Sequence, residues 1–327
     1  MQNHYLALDF GGTKHAAAVV VPGEKQWLAY QRAVSPPNAD AKSDIEIMFA
    51  LAHEILSGKP AAIGVSFGGP VDATRGIVRL SHHVRGWENT QLREILETEF
   101  GAPASVDNDA NVAALGEHRF GAGMDYNSLL YITVSTGVGG GWILNGRPWR
   151  GVEGMAGEIG HMVVDPAGAM CLCGKRGCLE RLASGPYIAQ QVREWLQNQP
   201  EQGRVVRSLC NNNSETITGQ LVSQAANGGD ELAIKALENA GWALGVAIGN
   251  VANLINPQRF ILGGSVTKAG DRFWQTIRRV ARETALPEVH FDIVPAALGD
   301  EAPLWGAVAL AEDLIGSRKG QGKQGKR

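Results

Sequence analysis

Two stretches of this chain, about 125 residues apart, follow one plan: an apolar strand, a polar residue at its end, a glycine-rich turn and a second apolar strand. The first is Tyr5-Leu-Ala-Leu-Asp9, then Phe10-Gly11-Gly12-Thr13, then residues 14–21. The second is Leu129-Leu-Tyr-Ile-Thr-Val134, then Ser135-Thr136-Gly137-Val138-Gly139-Gly140-Gly141, then Trp142-Ile-Leu144. Short apolar runs broken by glycines read as β-hairpins. Recurrence of the unit at long range reads as two related lobes facing one another. A third turn, Gly263-Gly264-Ser265, closes the apolar run Phe260-Ile-Leu262. The 42 glycines among 327 residues arrive in pairs and triplets, not at every third position, so they mark tight turns and exclude a collagen-like chain.

Between the hairpins, apolar spacing predicts helices over residues 45–56, 90–100 and 110–120 and strands over 61–67 and up to Val106. Residues 145–180 show little periodicity, 185–197 read as a helix and 198–214 as a loop, with Asn211-Asn-Asn213 in it. Residues 230–255 are helical in spacing, and Gly241, Gly245 and Gly249 recur every fourth position on that helix. Glycine weakens a helix by up to about 1 kcal/mol per site, so such a stripe predicts another backbone packed very close. A helix over 271–284, a strand over 289–294 and a last helix from Pro303 follow, with a solvated, flexible tail beyond Gly316. Alternating strands and helices indicate an α/β architecture.

The formal charge of −3 divides unevenly: Arg318, Lys319, Lys323, Lys326 and Arg327 leave −8 on the rest. A body that acidic argues against a nucleic-acid groove. No secretory pattern opens the chain, and its apolar runs near either end, such as residues 16–21, fall far short of a membrane span. Three of the four cysteines lie within eight residues, which suggests metal in a reducing compartment, so a cytoplasmic location is expected.

A turn whose backbone N–H groups point inward forms a nest for anions, and glycine lets it approach a phosphate closely. Asp9 ends its strand at such a turn, where a carboxylate can hold hydrated Mg²⁺, and Thr13 and Thr136 add hydroxyl donors. Neither a Walker A pattern nor a G-x-G-x-x-G opening a helix is present. A nucleotide held by hairpin turns in a cleft between two lobes is therefore expected.

His161, Cys171, Cys173 and Cys178 form an H-x9-C-x-C-x4-C set, with Gly174 and Gly177 letting the chain curl. Three thiolates and an imidazole suit a closed, structural, tetrahedral Zn²⁺. Zinc would pin a loop too polar to fold on its own packing, and with it Glu158 and Glu180, two carboxylates able to accept from the vicinal hydroxyls of a polyol. Val106-Asp107-Asn108-Asp109-Ala110-Asn111 ends a strand and opens a helix. Capping explains one Asx residue there but not four. Asp107 or Asp109 could serve as the base in a phosphoryl transfer, and the pattern does not choose between them.

Together these motifs resemble the ROK family of sugar kinases and sugar-responsive repressors, over about residues 5–315. The carriers are Leu8-Asp-Phe-Gly-Gly-Thr-Lys14, Asn108-Asp-Ala-Asn111, Ser135-Thr-Gly-Val-Gly-Gly-Gly141, Leu262-Gly-Gly264, and Ala156-Gly-Glu-Ile-Gly-His161 leading into Cys171-Leu-Cys-Gly-Lys-Arg-Gly-Cys-Leu-Glu180. The resemblance implies a two-lobed actin-like ATPase (ribonuclease H-like) fold with a cleft and a zinc-pinned loop. It implies a small lobe of residues 1–109 plus about 299–316, a larger lobe of 110–298 with the loop 158–180, and a tail of 317–327. It implies that Asp109 is the base at a sugar 6-hydroxyl, that Asn108 contacts the sugar, and that Glu158, His161 and Glu180 bind its other hydroxyls, with Gly69 lining the sugar side. The turns carrying Asp9, Gly11, Gly12, Thr13 and Lys14 and carrying Thr136 and Gly137 would hold the phosphates of ATP with Mg²⁺, and Gly263-Gly264 would lie against adenosine. Where many members have Pro-Gly-Pro or a similar segment, this chain has Ser66-Phe-Gly-Gly-Pro70. A glucose-preferring hexose kinase, dimeric or tetrameric, is the implied activity, with N-acylmannosamine, N-acetylglucosamine and fructose as alternative acceptors. A sugar-sensing regulator is the alternative of another class, disfavoured because only eight residues precede Asp9, too few for a DNA-binding domain. An actin-like ATPase acting on protein partners would have no use for the cysteine loop.

Overall fold

A computed structural model describes residues 4–81, 84–199 and 201–324, the side chains of 318–324 excepted. Two compact units divide the chain. One holds Met1–Asp125, Gly141–Ala156 and Ala297–Arg327, and the other Tyr126–Gly140 and Gly157–Ala296.

The elements of the first unit begin with the hairpin β1 (Tyr5–Phe10) and β2 (Lys14–Val20), then β3 (Ala29–Val34), α1 (Ala41–Ile55) and β4 (Ala62–Phe67). The short pair β5 (Val71–Asp72) and β6 (Ile77–Val78), then α2 (Leu92–Phe100), β7 (Ala104–Asn108) and α3 (Asp109–Phe120) follow. Its sheet runs β3-β2-β1-β4-β7, with β4 parallel to both β1 and β7. Every residue of β4 is buried, as expected of a parallel strand covered on both faces. In register, Phe10 lies opposite Phe67 and Phe67 opposite Asn108. The carboxyl ends of three parallel strands therefore line up, which is where open α/β sheets place ligands.

Next come β8 (Ser128–Val134), β9 (Val138–Leu144), β10 (Arg147–Trp149), α4 (Leu179–Ala183), α5 (Gly185–Asn198), α6 (Arg204–Leu209) and α7 (Gly219–Asn227). The chain finishes with α8 (Glu231–Ile255), β11 (Arg259–Gly263), α9 (Asp271–Thr284), β12 (Asp292–Pro295) and α10 (Ala302–Gln324). In the second unit β11 pairs in parallel with β8 and β12. β9 starts in that unit and ends in the first, where β10 pairs with it. The glycine stripe does what its spacing requires: a Cβ on Gly245 would stand 2.6 Å from Val280 Cβ, and all three glycines face α9. Among the described residues no helix is long and apolar enough to cross a membrane.

Four expectations differ from the structure. Glycines 139–141 lie inside β9, not in a turn, and at the last two neighbouring backbone leaves no room for side chains: a Cβ on Gly140 would meet Gly157 O at 2.7 Å, and one on Gly141 would overlap Ala110 O. α3, expected beyond a boundary at 109/110, belongs to the first unit because it packs on α10, so tightly that a Cβ on Gly306 would overlap Val112 O. Residues 198–214 contain α6, whose first N–H groups are capped by a residue distant in sequence: Asp230 Oδ2 accepts from Val205 N (2.9 Å) and Val206 N (3.2 Å), while its Oδ1 caps α8 through Leu232 N and Ala233 N. α10 runs on through Gln324, past the expected start of the flexible tail, since adding a residue to an existing helix needs no new nucleus. The end of that tail, with Lys326 and Arg327, lies outside the described residues.

Candidate functional site

In the first unit the expected residues gather at the ends of β1, β4 and β7. The turn after β1 closes on Gly11 N donating to Lys14 O (3.0 Å), and Ser35 N holds Thr13 O (3.0 Å). The Thr13 and Lys14 side chains are exposed, and Gly11 and Gly12 are half-buried. Gly68 N donates to Phe10 O (2.9 Å), joining the turn after β4 to the turn after β1. A Cβ built on Gly68 would lie 3.6 Å from Gly12 N and 3.8 Å from Asp109 Oδ2, so the phosphate-type turn and the candidate base border the same spot. Asp9 is pushed up to about 7 by burial and by the charge of Asp109, against the pull of the Ser66 hydroxyl. A carboxyl whose anion is disfavoured first by burial, and further by a neighbouring carboxylate, is a place where a cation would be stabilising.

Asn108 caps α3, accepting from Ala110 N (3.0 Å) and Asn111 N (3.4 Å). Its amide nitrogen donates to Gly69 O (3.1 Å) and Asp109 Oδ1 (2.9 Å). Both amide hydrogens are thus spent on the protein, which makes Asn108 a holder of Asp109 before it is a donor to any sugar. Asp109 Oδ1 also accepts from Ala110 N (2.8 Å) at the positive end of α3.

Asp107 is in a different state. It is buried, and its Oδ2 takes both Nε and one terminal nitrogen of Arg150 at 2.6 Å. Its Oδ1 accepts from Asn108 N (2.8 Å) and Asn111 Nδ2 (3.3 Å). A carboxylate so occupied is a structural strut, whereas Asp109 is half-exposed. No local pattern in the sequence marks Arg150, whose partner lies 43 positions away.

In the second unit the turn after β8 brings Thr136, exposed, and Gly137 to the carboxyl ends of β8 and β11. Ser135 Oγ meets Ser265 Oγ at 3.1 Å, so the Gly263-Gly264-Ser265 turn is its neighbour. Glu180 reaches the same turn, accepting from Val138 N with Oε2 at 2.9 Å. Glu158 is exposed at the start of the short 3₁₀ turn Ile159–His161.

The donor atoms of His161, Cys171, Cys173 and Cys178 all lie within 4.8 Å of one another. The chain reaches this geometry by backbone bonds of a knuckle: Cys171 N to Lys175 O (2.8 Å) and Gly174 N to Cys171 O (3.0 Å), with Gly174 at φ +84°. Hydrogen bonding from the Lys175 backbone lowers the exposed Cys173 thiol to about 7, while burial raises Cys178 to about 12. His161 Nδ1 is buried with no hydrogen-bond partner. An orphaned imidazole nitrogen beside three thiols fits a Zn²⁺ site, since such an atom otherwise costs about 1–3 kcal/mol.

Comparison with known proteins identifies relatives over nearly the whole chain. The model of the ROK family matches residues 5–314. The glucokinase of Halalkalibacterium halodurans is 36% identical over 313 residues, 92% of this chain and 93% of that one. The xylose repressor of Bacillus spizizenii is 29% identical over 81% of this chain and 66% of its own length. The crystal structure of a ROK family glucokinase from Streptomyces griseus, in complex with glucose and AMPPNP, superposes with a TM-score of 0.82 at 33% identity, covering 95% of this chain and all of that one. The chain belongs to the ROK family.

Proposed function

We propose that this protein is an ATP-dependent kinase of the hexokinase/glucokinase type, phosphorylating a hexose, glucose first, at its 6-hydroxyl. The observation that carries this reading is the meeting of the Asp9 turn with Asp109 beside Gly68. Phosphoryl transfer asks a protein mainly to position the nucleophile and offset charge. Asp109 accepts the hydroxyl proton, aimed by Asn108 and Ala110 N at its other oxygen. Asp107, clamped by Arg150, holds the strand end that carries both.

The turns at Asp9–Lys14 and Thr136–Gly137 serve the phosphates, and Gly263-Gly264 the adenosine. Mg²⁺ brought with ATP would supply positive charge, for which Asp9, its pKa raised by burial, is a suitable neighbour. His161, Cys171, Cys173 and Cys178 would hold Zn²⁺, which supplies a cross-link rather than a reactive centre. His161 would give one ring nitrogen to the cation and keep the other for a sugar hydroxyl, with Glu158 and Glu180 as further acceptors.

An ADP-release assay across glucose, mannose, fructose, glucosamine and the N-acetyl hexosamines tests this. Glucose is expected to give the highest kcat/KM, and a lack of release with every hexose would overturn the kinase reading. The similarity to a xylose repressor supports a second reading, a sugar-binding regulator, which sugar binding without turnover would favour.

A further inference from the structure

The segment expected to grip sugar is also what holds the nucleotide turn of the second unit. The turn 135–138 has one internal bond, Ser135 N to Gly137 O (2.9 Å). Its two ends are tied to the segment that follows the cysteine knuckle: Val138 N donates to Glu180 Oε2 (2.9 Å), and Ser135 O accepts from Gly185 N (2.8 Å). Glu180 lies so close that a Cβ on Gly137 would stand 2.7 Å from its Oε2. Gly137 is therefore glycine for a side chain's sake as well as a phosphate's. Glu180 itself sits in the first turn of α4, directly after Cys178, whose carbonyl accepts from Arg181 N (3.0 Å).

We infer that Glu180 is a positioning residue for nucleotide, in addition to its role toward sugar: Oε2 fixes the 135–138 turn. The inference rests on the proposed kinase reading. It makes one carboxylate common to two substrates, so the binding of either biases the side chain that serves the other, and the coupling is reciprocal.

The test is the affinity for MgADP in the absence of sugar, measured by calorimetry on the full chain. Glu180→Ala should weaken MgADP about tenfold, the order expected when a hydrogen bond to a charged group is lost. Glu180→Gln, which keeps an acceptor for Val138 N, should stay within about threefold of wild type. Gly137→Ala supplies a second route: it should weaken MgADP strongly when Glu180 is present and much less in the Glu180→Ala background, a non-additivity that marks direct contact. MgADP binding by Glu180→Ala at the wild-type level, or additive effects of the two changes, would overturn the inference. Wild-type protein that binds MgADP but phosphorylates no hexose would overturn the kinase reading alone. No MgADP binding by the wild type would overturn both.

Discussion

The turns at residues 10–14 and 135–138 share one local plan but are held by different means. The first is braced by main chain: Gly11 N, Ser35 N and Gly68 N close it onto Lys14 O, Thr13 O and Phe10 O. Behind it Phe10 packs edge-on to Trp87, with ring centroids 5.6 Å apart, and against Phe67 at 6.2 Å. The second turn leans on the side chain of Glu180, which stands on a segment that begins at a cluster of three thiols and an imidazole. A turn anchored in a buried sheet depends on the hydrophobic core. One anchored by a carboxylate on a polar loop depends on whatever orders that loop.

Removing the base is the largest expected perturbation and concerns the first turn alone. Asp109→Ala should lower kcat by about 10²–10⁴-fold, with glucose affinity retained in equilibrium binding; near-normal turnover would remove Asp109 as the base. Breaking the knuckle should strike the second turn. Cys173→Ser, or zinc chelation, is expected to destabilise the protein by roughly 4 kcal/mol or more and to weaken nucleotide as well as sugar. Elemental analysis finding no zinc in the purified wild type would discard the metal.

Arg150 sharpens the contrast from the first unit. Arg150→Ala leaves Asp107 buried without its cation, at a cost of about 2–4 kcal/mol once the partial exposure of the arginine is discounted. Urea unfolding checks this, and a loss below about 0.5 kcal/mol would show the pair to be incidental. Asp9 gives the smallest effect and a sign. Its folded pKa lies above the unfolded value, so the unfolded chain loses its proton first and stability falls as pH rises from about 4 to about 7. Asp9→Asn should therefore stabilise the magnesium-free protein above pH 7, by about 1–2 kcal/mol once its half-buried position is discounted, while lowering activity. An unchanged Tm difference between pH 5 and pH 8 would contradict the raised pKa of Asp9, which burial causes first and Asp109 adds to.

Both hairpins could be seen in advance because alternation and glycine act over a few residues. Glycines 139–141 look like a turn but form a strand, with neighbouring backbone pressed against Gly140 and Gly141. Residues 198–214 look like a loop in sequence, since the cap of α6 comes from Asp230, far along the chain. The four donors of the knuckle lie close in sequence and were found together, whereas the bond from Glu180 to Val138 N spans 42 residues and could not be.

Residue order alone specified the alternating α/β elements, the cysteine set and the Asx-rich strand end, for each is written in short-range spacing and side-chain chemistry. Folding was needed to separate Asp107 from Asp109: one is buried in the grip of Arg150, the other half-exposed beside Gly68. It was needed also to show Glu180 on the glycine turn. Hydrogen bonds and desolvation depend on distance in space, and no local pattern records which remote segment will be the neighbour.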